Sequence, residues 1–139
     1  MIVTEDILRK RFAYCNKEYF EGKLARPRMS IGKFTKDVAR IWWEKNKKTK
    51  RAQNIEIKFS TLFDFTDEML TDVMCHEMIH LFLIRKKIYE KDHGPLWQNM
   101  AKELNEKYGL HITKTFEPKQ VGELDFGSKV KEFFLSFII

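Results

Sequence analysis

Apolar positions along the chain recur with two periods, one near 3.6 and one near 2, and they predict three helices and a short run of strands. Thr4 is an N-cap residue followed by the first-turn acids Glu5 and Asp6, and Ile7, Leu8, Phe12, Cys15, Tyr19 and Phe20 then repeat at helical spacing. Gly22 supplies a left-handed residue to stop this first helix. From Arg28 the period shortens. Met29 and Ile31 alternate with Arg28, Ser30 and Gly32, residues 38–43 form a second strand candidate, and Ile55, Ile57 and Phe59 alternate with Glu56, Lys58 and Ser60. Three strands joined by brief polar links predict a small antiparallel sheet, one apolar face of which packs on the helices.

Thr66, Asp67 and Glu68 repeat the cap-and-acid signal and open a second helix that runs to the basic cluster Arg85, Lys86 and Lys87. Met69, Leu70, Val73, Met74, Met78, Ile79, Leu81, Phe82 and Ile84 surround most of its circumference, the pattern of a central helix. Gly94-Pro95 opens a third helix, with Leu96, Trp97, Met100, Ala101, Leu104 and Tyr108 as its stripe and Gly109 as its stop. Residues 110–116 read as a strand or an extended arm. The fold class expected is therefore α+β, with three main helices on a sheet of about three strands. One domain is expected over residues 1–139, with 117–139 an apolar extension that packs on the domain or on a partner, because Phe126 and residues 133–139 are too apolar to float free.

The 139 residues suffice for a core without disulfide staples. Cys15 and Cys75 both fall among apolar neighbours on helices, so buried free thiols and a reducing intracellular setting are expected. The first six residues lack the pattern of a secretory leader and no apolar run approaches a membrane span, which points to a cytoplasmic or nucleoid-associated protein with no membrane partner. Charge changes the picture further. Residues 1–60 hold 16 Lys/Arg against 7 Asp/Glu, a balance of +9, whereas residues 61–139 hold 10 against 13, a balance of −3. Such asymmetry fits approach to a polyanion from one side, and it also fits a merely solubilising lysine-rich surface.

His76-Glu77-Met78-Ile79-His80 carries the chemistry. Residues four apart stand one turn above each other, so both imidazoles reach one metal ion. Glu77 projects about 100° away on the helical wheel and can address a water held by the metal without becoming a ligand. Two histidines and a glutamate inside an otherwise apolar helix would be costly without a partner, and a cation supplies one. A catalytic zinc site takes three protein ligands and keeps one position open. His93, at the turn before Gly94-Pro95, is favoured as the third ligand. Glu90 and Asp92 are its rivals, and His111 has no comparable placement.

Residues 70–83, containing His76-Glu77-Met78-Ile79-His80, followed by His93-Gly94-Pro95-Leu96-Trp97, resemble the SprT/Spartan family of zinc metallopeptidases. Phe12, Asn16, Tyr19-Phe20 and Gly22-Lys23-Leu24 are similar to that family's first helix. Residues 105–116, with Tyr108-Gly109-Leu110-His111-Ile112-Thr113, are similar to the segment closing its domain, so the likeness spans roughly residues 8 to 116. The resemblance implies a zincin-type protease domain that binds one zinc ion through His76, His80 and His93, uses Glu77 as base, and acts on protein or peptide substrates. It also implies association with DNA, since eukaryotic relatives digest proteins crosslinked to DNA. Many members add a cysteine-bearing zinc ribbon. No cysteine follows Cys75 here, and residues 124–139 are expected to take over the ribbon's packing role.

Trp42 and Trp43 precede Lys45, Lys47, Lys48, Lys50 and Arg51. On a strand the two rings face opposite sides, so one enters the core and the other is exposed, either as a stacking platform for single-stranded bases or as sheet packing. Contacts from these cations to phosphates would be blind to base sequence. Trp97 is expected to support the turn bearing His93. Tyr89 is either an oxyanion donor or a loop aromatic.

Overall fold

The computed structural model describes residues 1–121. Helix α1 spans Glu5–Tyr19 and begins where the sequence places it, with the Thr4 hydroxyl accepting the Ile7 N–H at 3.1 Å. It ends through Asn16. The Asn16 carbonyl accepts N–H groups from Phe20 and Gly22, the latter at φ +68°. The Asn16 side chain grips Leu24 by both backbone groups, at 2.9 and 3.1 Å. The chain is thereby turned into strand β1, Arg28–Gly32, followed by β2, Ala39–Lys45, and β3, Ala52–Ser60.

The order across the sheet is β1-β3-β2. β2 and β3 are an antiparallel hairpin, but β1 and β3 run parallel, with Met29 opposite Ile57 and Ile31 opposite Phe59. The sheet is thus mixed, which corrects the wholly antiparallel expectation. The chain leaves β1, passes over to the far side, runs back as β2, and returns as β3 into the middle. β2 itself serves as the crossover that a parallel pair requires. Apolar alternation records which face a residue takes, and that is the same for either direction. On the inner face lie Met29, Ala39, Ile57 and Phe59, all buried, with Ile31, Ile41 and Ile55 beside them. A bulge between Trp42 and Glu44 interrupts the β2–β3 register.

Strand β4, Phe63–Asp64, leads into α2, Asp67–Arg85, which is capped by Thr66 as expected. Every residue from 70 to 79 is buried, so α2 is the central element. It packs on the sheet through β2 and β3, and on α1 and α3, Pro95–Tyr108, to either side. Gly109 closes α3 in the left-handed conformation at φ +70°. Residues 110–116 form an extended arm rather than a strand. A second asparagine clamp orders the arm, in which the Asn105 side chain bonds Ile112 N–H and C=O at 2.8 and 3.0 Å. Strand β5, Lys119–Gln120, pairs with β4. Among the described residues no helix is long and apolar enough to cross a membrane. The expected packing of Phe126 and residues 124–139 lies outside the described residues.

Candidate metal centre

Helix α2 sets His76 and His80 one turn apart, with ring centroids separated by 5.1 Å. The loop of residues 86–94 returns over this face and brings the His93 ring to 4.9 Å from His76 and 5.0 Å from His80. One ring nitrogen from each residue lies within 4.8 Å of the other two. The Nε2 atoms of His76 and His93 stand 3.1 Å apart. Two nitrogens held by one tetrahedral zinc at about 2.0–2.1 Å are roughly 3.3 Å apart, so the spacing suits a shared cation.

The proton positions also fit. His76 Nδ1 lies 2.7 Å from the Thr113 carbonyl, which can only accept, so the ring proton sits on Nδ1 and Nε2 presents its lone pair. Burial holds His76 down at about 4, with His93 adding to the effect against the Thr113 bond. Burial, then the neighbouring His76 and His93, holds His80 down at about 3, and burial lowers His93 as well. Neutral imidazoles at physiological pH are the form that ligates metal. The exposed Asp92 carboxylate stands 3.6 Å from His93 Nδ1.

Trp97 supports all three rings. It is 2% exposed, lies 4.7, 5.5 and 4.5 Å from the His76, His80 and His93 centroids, and donates its Nε1–H to the His76 carbonyl at 3.3 Å. Glu77, 5% exposed, has no hydrogen-bond partner for its carboxyl group among the described residues. Burial, reinforced by Asp37, pushes its pKa up to about 8. His76 and Glu77 line a cavity of about 130 Å³, closed on one side by residues 36–39 before and at the start of β2 and on the other by 114–116 of the arm.

None of the rival ligands joins the three imidazoles. Glu90 accepts the amide N–H groups of Leu96 and Trp97 at 3.0 and 3.1 Å, capping α3 from outside the helix. Gly94 makes room for this, since a Cβ there would stand 2.7 Å from the Glu90 carboxyl carbon. The Asp92 carboxylate is largely in solvent. His111 is exposed, and its N–H is given to Asp72. Tyr89 donates its hydroxyl to the Lys50 carbonyl at 2.6 Å, on the β2–β3 hairpin, and this placement gives no support to an oxyanion role. Trp42 is 55% exposed on the outer sheet face, near Arg40 and Lys58, whereas Trp43 is half-buried against Tyr89. Lys45, Lys47, Lys48, Lys50 and Arg51 are all exposed along the hairpin and its tip. Sequence reasoning missed the Glu90 cap, the Thr113 carbonyl and the approach of Asp37. The only available signal was the glycine at 94, which hints at a close neighbour.

An α+β domain with three imidazoles converging beside a buried carboxyl has the layout of a metalloprotease-type domain able to hold a metal ion. The model of the SprT-like family matches residues 8–116, and the chain belongs to that family. No curated protein matches the chain.

Proposed function

We propose that the protein is a zinc-dependent endopeptidase in which His76, His80 and His93 hold the metal and Glu77 is the catalytic base. The observation that carries this reading is the convergence of three histidine nitrogens beside a buried carboxyl group that has no partner among the described residues, at a cavity. When bound, the cation supplies Lewis acidity toward a peptide carbonyl and makes water more acidic. The rest of the chemistry falls to the chain. Glu77 accepts a proton from the attacking water and delivers it to the departing amide nitrogen, so that one carboxyl serves as base and then as acid. Strand β2 is a sheet edge whose first residue, Ala39, lines the same cavity, so an extended peptide pairing with β2 would pass the site.

The test compares the native chain with Glu77→Gln on an unfolded protein and on a DNA-bound protein. The variant is expected to retain zinc and lose turnover, and equal cleavage by both chains would remove the mechanism. His93→Ala is expected to lose metal on dialysis.

A second reading has its own support. The exposed Trp42 and the five hairpin cations fit a sequence-blind contact with nucleic acid, either bringing the protease to DNA-associated proteins or acting as a binding module around a structural metal. Anisotropy titration of single-stranded DNA at several salt concentrations separates these. No binding at low salt sinks both forms. Binding with no Glu77-dependent cleavage favours the module.

A further inference from the structure

The loop of residues 86–94 delivers one of the three ligands and is not stiffened by regular structure. Lys87 closes α2 in the left-handed conformation, φ +61°, with Ile88 N–H bonded to the Leu83 carbonyl, and Asp92 is left-handed at φ +59°. Two anchors hold the loop. The later one is Glu90, whose carboxylate caps α3. The earlier one is Tyr89, which reaches across to a different part of the fold. Its ring lies on Trp43 of β2, with centroids 4.7 Å apart and planes 15° from parallel. Its hydroxyl donates to Lys50 C=O at 2.6 Å, and the Lys45 ammonium stands 4.4 Å from the ring centroid. Three residues of the β2–β3 hairpin therefore grip one side chain four positions before His93.

These contacts lie beside two local irregularities in the hairpin, the first of which sets Asn54, at φ +53°, and Ile55 of β3 against Trp43 alone. The register shift between Trp42 and Glu44 falls at Trp43, the residue that meets Tyr89. Lys50, whose carbonyl receives the hydroxyl, is itself left-handed at φ +65°, in a turn that Asn46 organises by accepting N–H groups from Lys48 and Thr49. We propose that Tyr89 is a positioning residue for His93, and that the hairpin, through Trp43 and the Lys50 carbonyl, sets how tightly the chain holds its metal ion. The inference rests on His76, His80 and His93 being the metal ligands. A ligand on an unanchored loop must be ordered during binding, whereas a pre-placed one avoids that cost, and supports of this kind change metal affinity by roughly 10- to 100-fold.

Zinc affinity of the full chain is measured by competition with a chromophoric chelator. Tyr89→Ala and Trp43→Ala are each expected to weaken zinc binding by about 10-fold or more. The double variant is expected to be little worse than either single one, because the two residues form one contact. Tyr89→Phe keeps the stack and loses only the hydroxyl bond, so a smaller loss and a faster zinc release than in the native chain are expected. In a His93→Ala background, Tyr89→Ala is expected to have no further effect. An unchanged affinity in Tyr89→Ala, or an equal loss with and without His93, overturns the proposal. Where Tyr89→Ala does not fold, Tyr89→Phe decides, and a release rate equal to the native one counts against it. A native chain that binds no stoichiometric zinc overturns the metal reading itself, an outcome distinct from the others.

Discussion

Gly94→Ala is expected to uncouple the loop bearing His93 from helix α3, and the cause is steric contact with one side chain. Gly94 has φ −72° and ψ −175°, a conformation alanine adopts freely, so backbone strain contributes nothing. The obstacle is the Glu90 side chain. An added Cβ would stand 2.7 Å from its carboxyl carbon, 2.9 Å from Oε2 and 3.0 Å from its own Cβ. The carboxylate must move, and it then gives up the N–H groups of Leu96 and Trp97 that it holds at 3.0 and 3.1 Å. Losing an N-terminal cap costs about 0.5–2 kcal/mol. The favourable meeting of the carboxylate with the helix dipole adds about 0.3–1 kcal/mol. The total expected is about 1–3 kcal/mol, read as a lower urea midpoint in chelator-treated protein at unchanged m. Glu90→Ala alone is expected to cost the same. The decisive comparison places Gly94→Ala on the Glu90→Ala background, where both carboxyl contacts are gone and only the residue-90 Cβ remains, at 3.0 Å. There its cost is expected to fall below about 1 kcal/mol, the stiffer unfolded chain offsetting part of the remaining Cβ contact. Additive losses in the double variant would show that Gly94 does not act through Glu90, and the reasoning would fail.

Trp97→Phe removes the Nε1–H bond to the His76 carbonyl and part of the surface behind three imidazoles, so a loss of about 1–3 kcal/mol and about 10-fold weaker zinc binding are expected, checked by urea unfolding and chelator competition. Asn105→Ala frees both backbone groups of Ile112 next to Thr113, the residue that fixes the His76 proton. A loss of about 1–3 kcal/mol together with weaker zinc retention is expected, and stability loss with unchanged retention would confine Asn105 to the fold. In chelator-treated protein, His76 at about 4 and His80 at about 3 refuse protons that the unfolded chain takes up below 6.5, so their contribution is complete above 6.5 and is lost as pH falls. Glu77 at about 8 keeps a proton that the unfolded chain releases above 4.5, so its contribution is lost as pH rises from 4.5 to 8; with two histidines outweighing one carboxyl below 6.5, the urea midpoint is expected to peak near 6.5, and a monotonic profile from pH 5 to 8 would refute this.

How much of this was legible depends on which atoms do the work. The caps at Thr4 and Thr66 were readable because their signal is a side-chain oxygen followed by acids within one turn. The buried circumference of α2 was readable because its apolar residues leave no polar face. The His76–His80 pair was readable because four residues make one helical turn. The parallel pairing of β1 with β3 was not, since the two strands carry the same alternation they would carry in the opposite direction. Other contacts at the site depend on backbone atoms, which every residue possesses. The Thr113 carbonyl, the Leu96 and Trp97 amides and the Lys50 carbonyl have no signature in side-chain identity.

The two asparagines lie between these cases and show what a sharper reading would use. Asn16 and Asn105 both sit in the last turn of a helix, and each grips by N–H and C=O an apolar residue beyond the helix end, Leu24 and Ile112 respectively. A side-chain amide has one donor and one acceptor side by side, so it can replace the partner strand that a lone extended residue lacks. Each clamp follows a left-handed glycine, Gly22 or Gly109. Asparagine in the last turn, glycine four to six residues on and an apolar residue seven or eight on is thus a readable device for turning a helix into an extended segment. Its second occurrence serves the candidate metal centre, because the arm it orders presents the Thr113 carbonyl that leaves His76 Nε2 free for a cation.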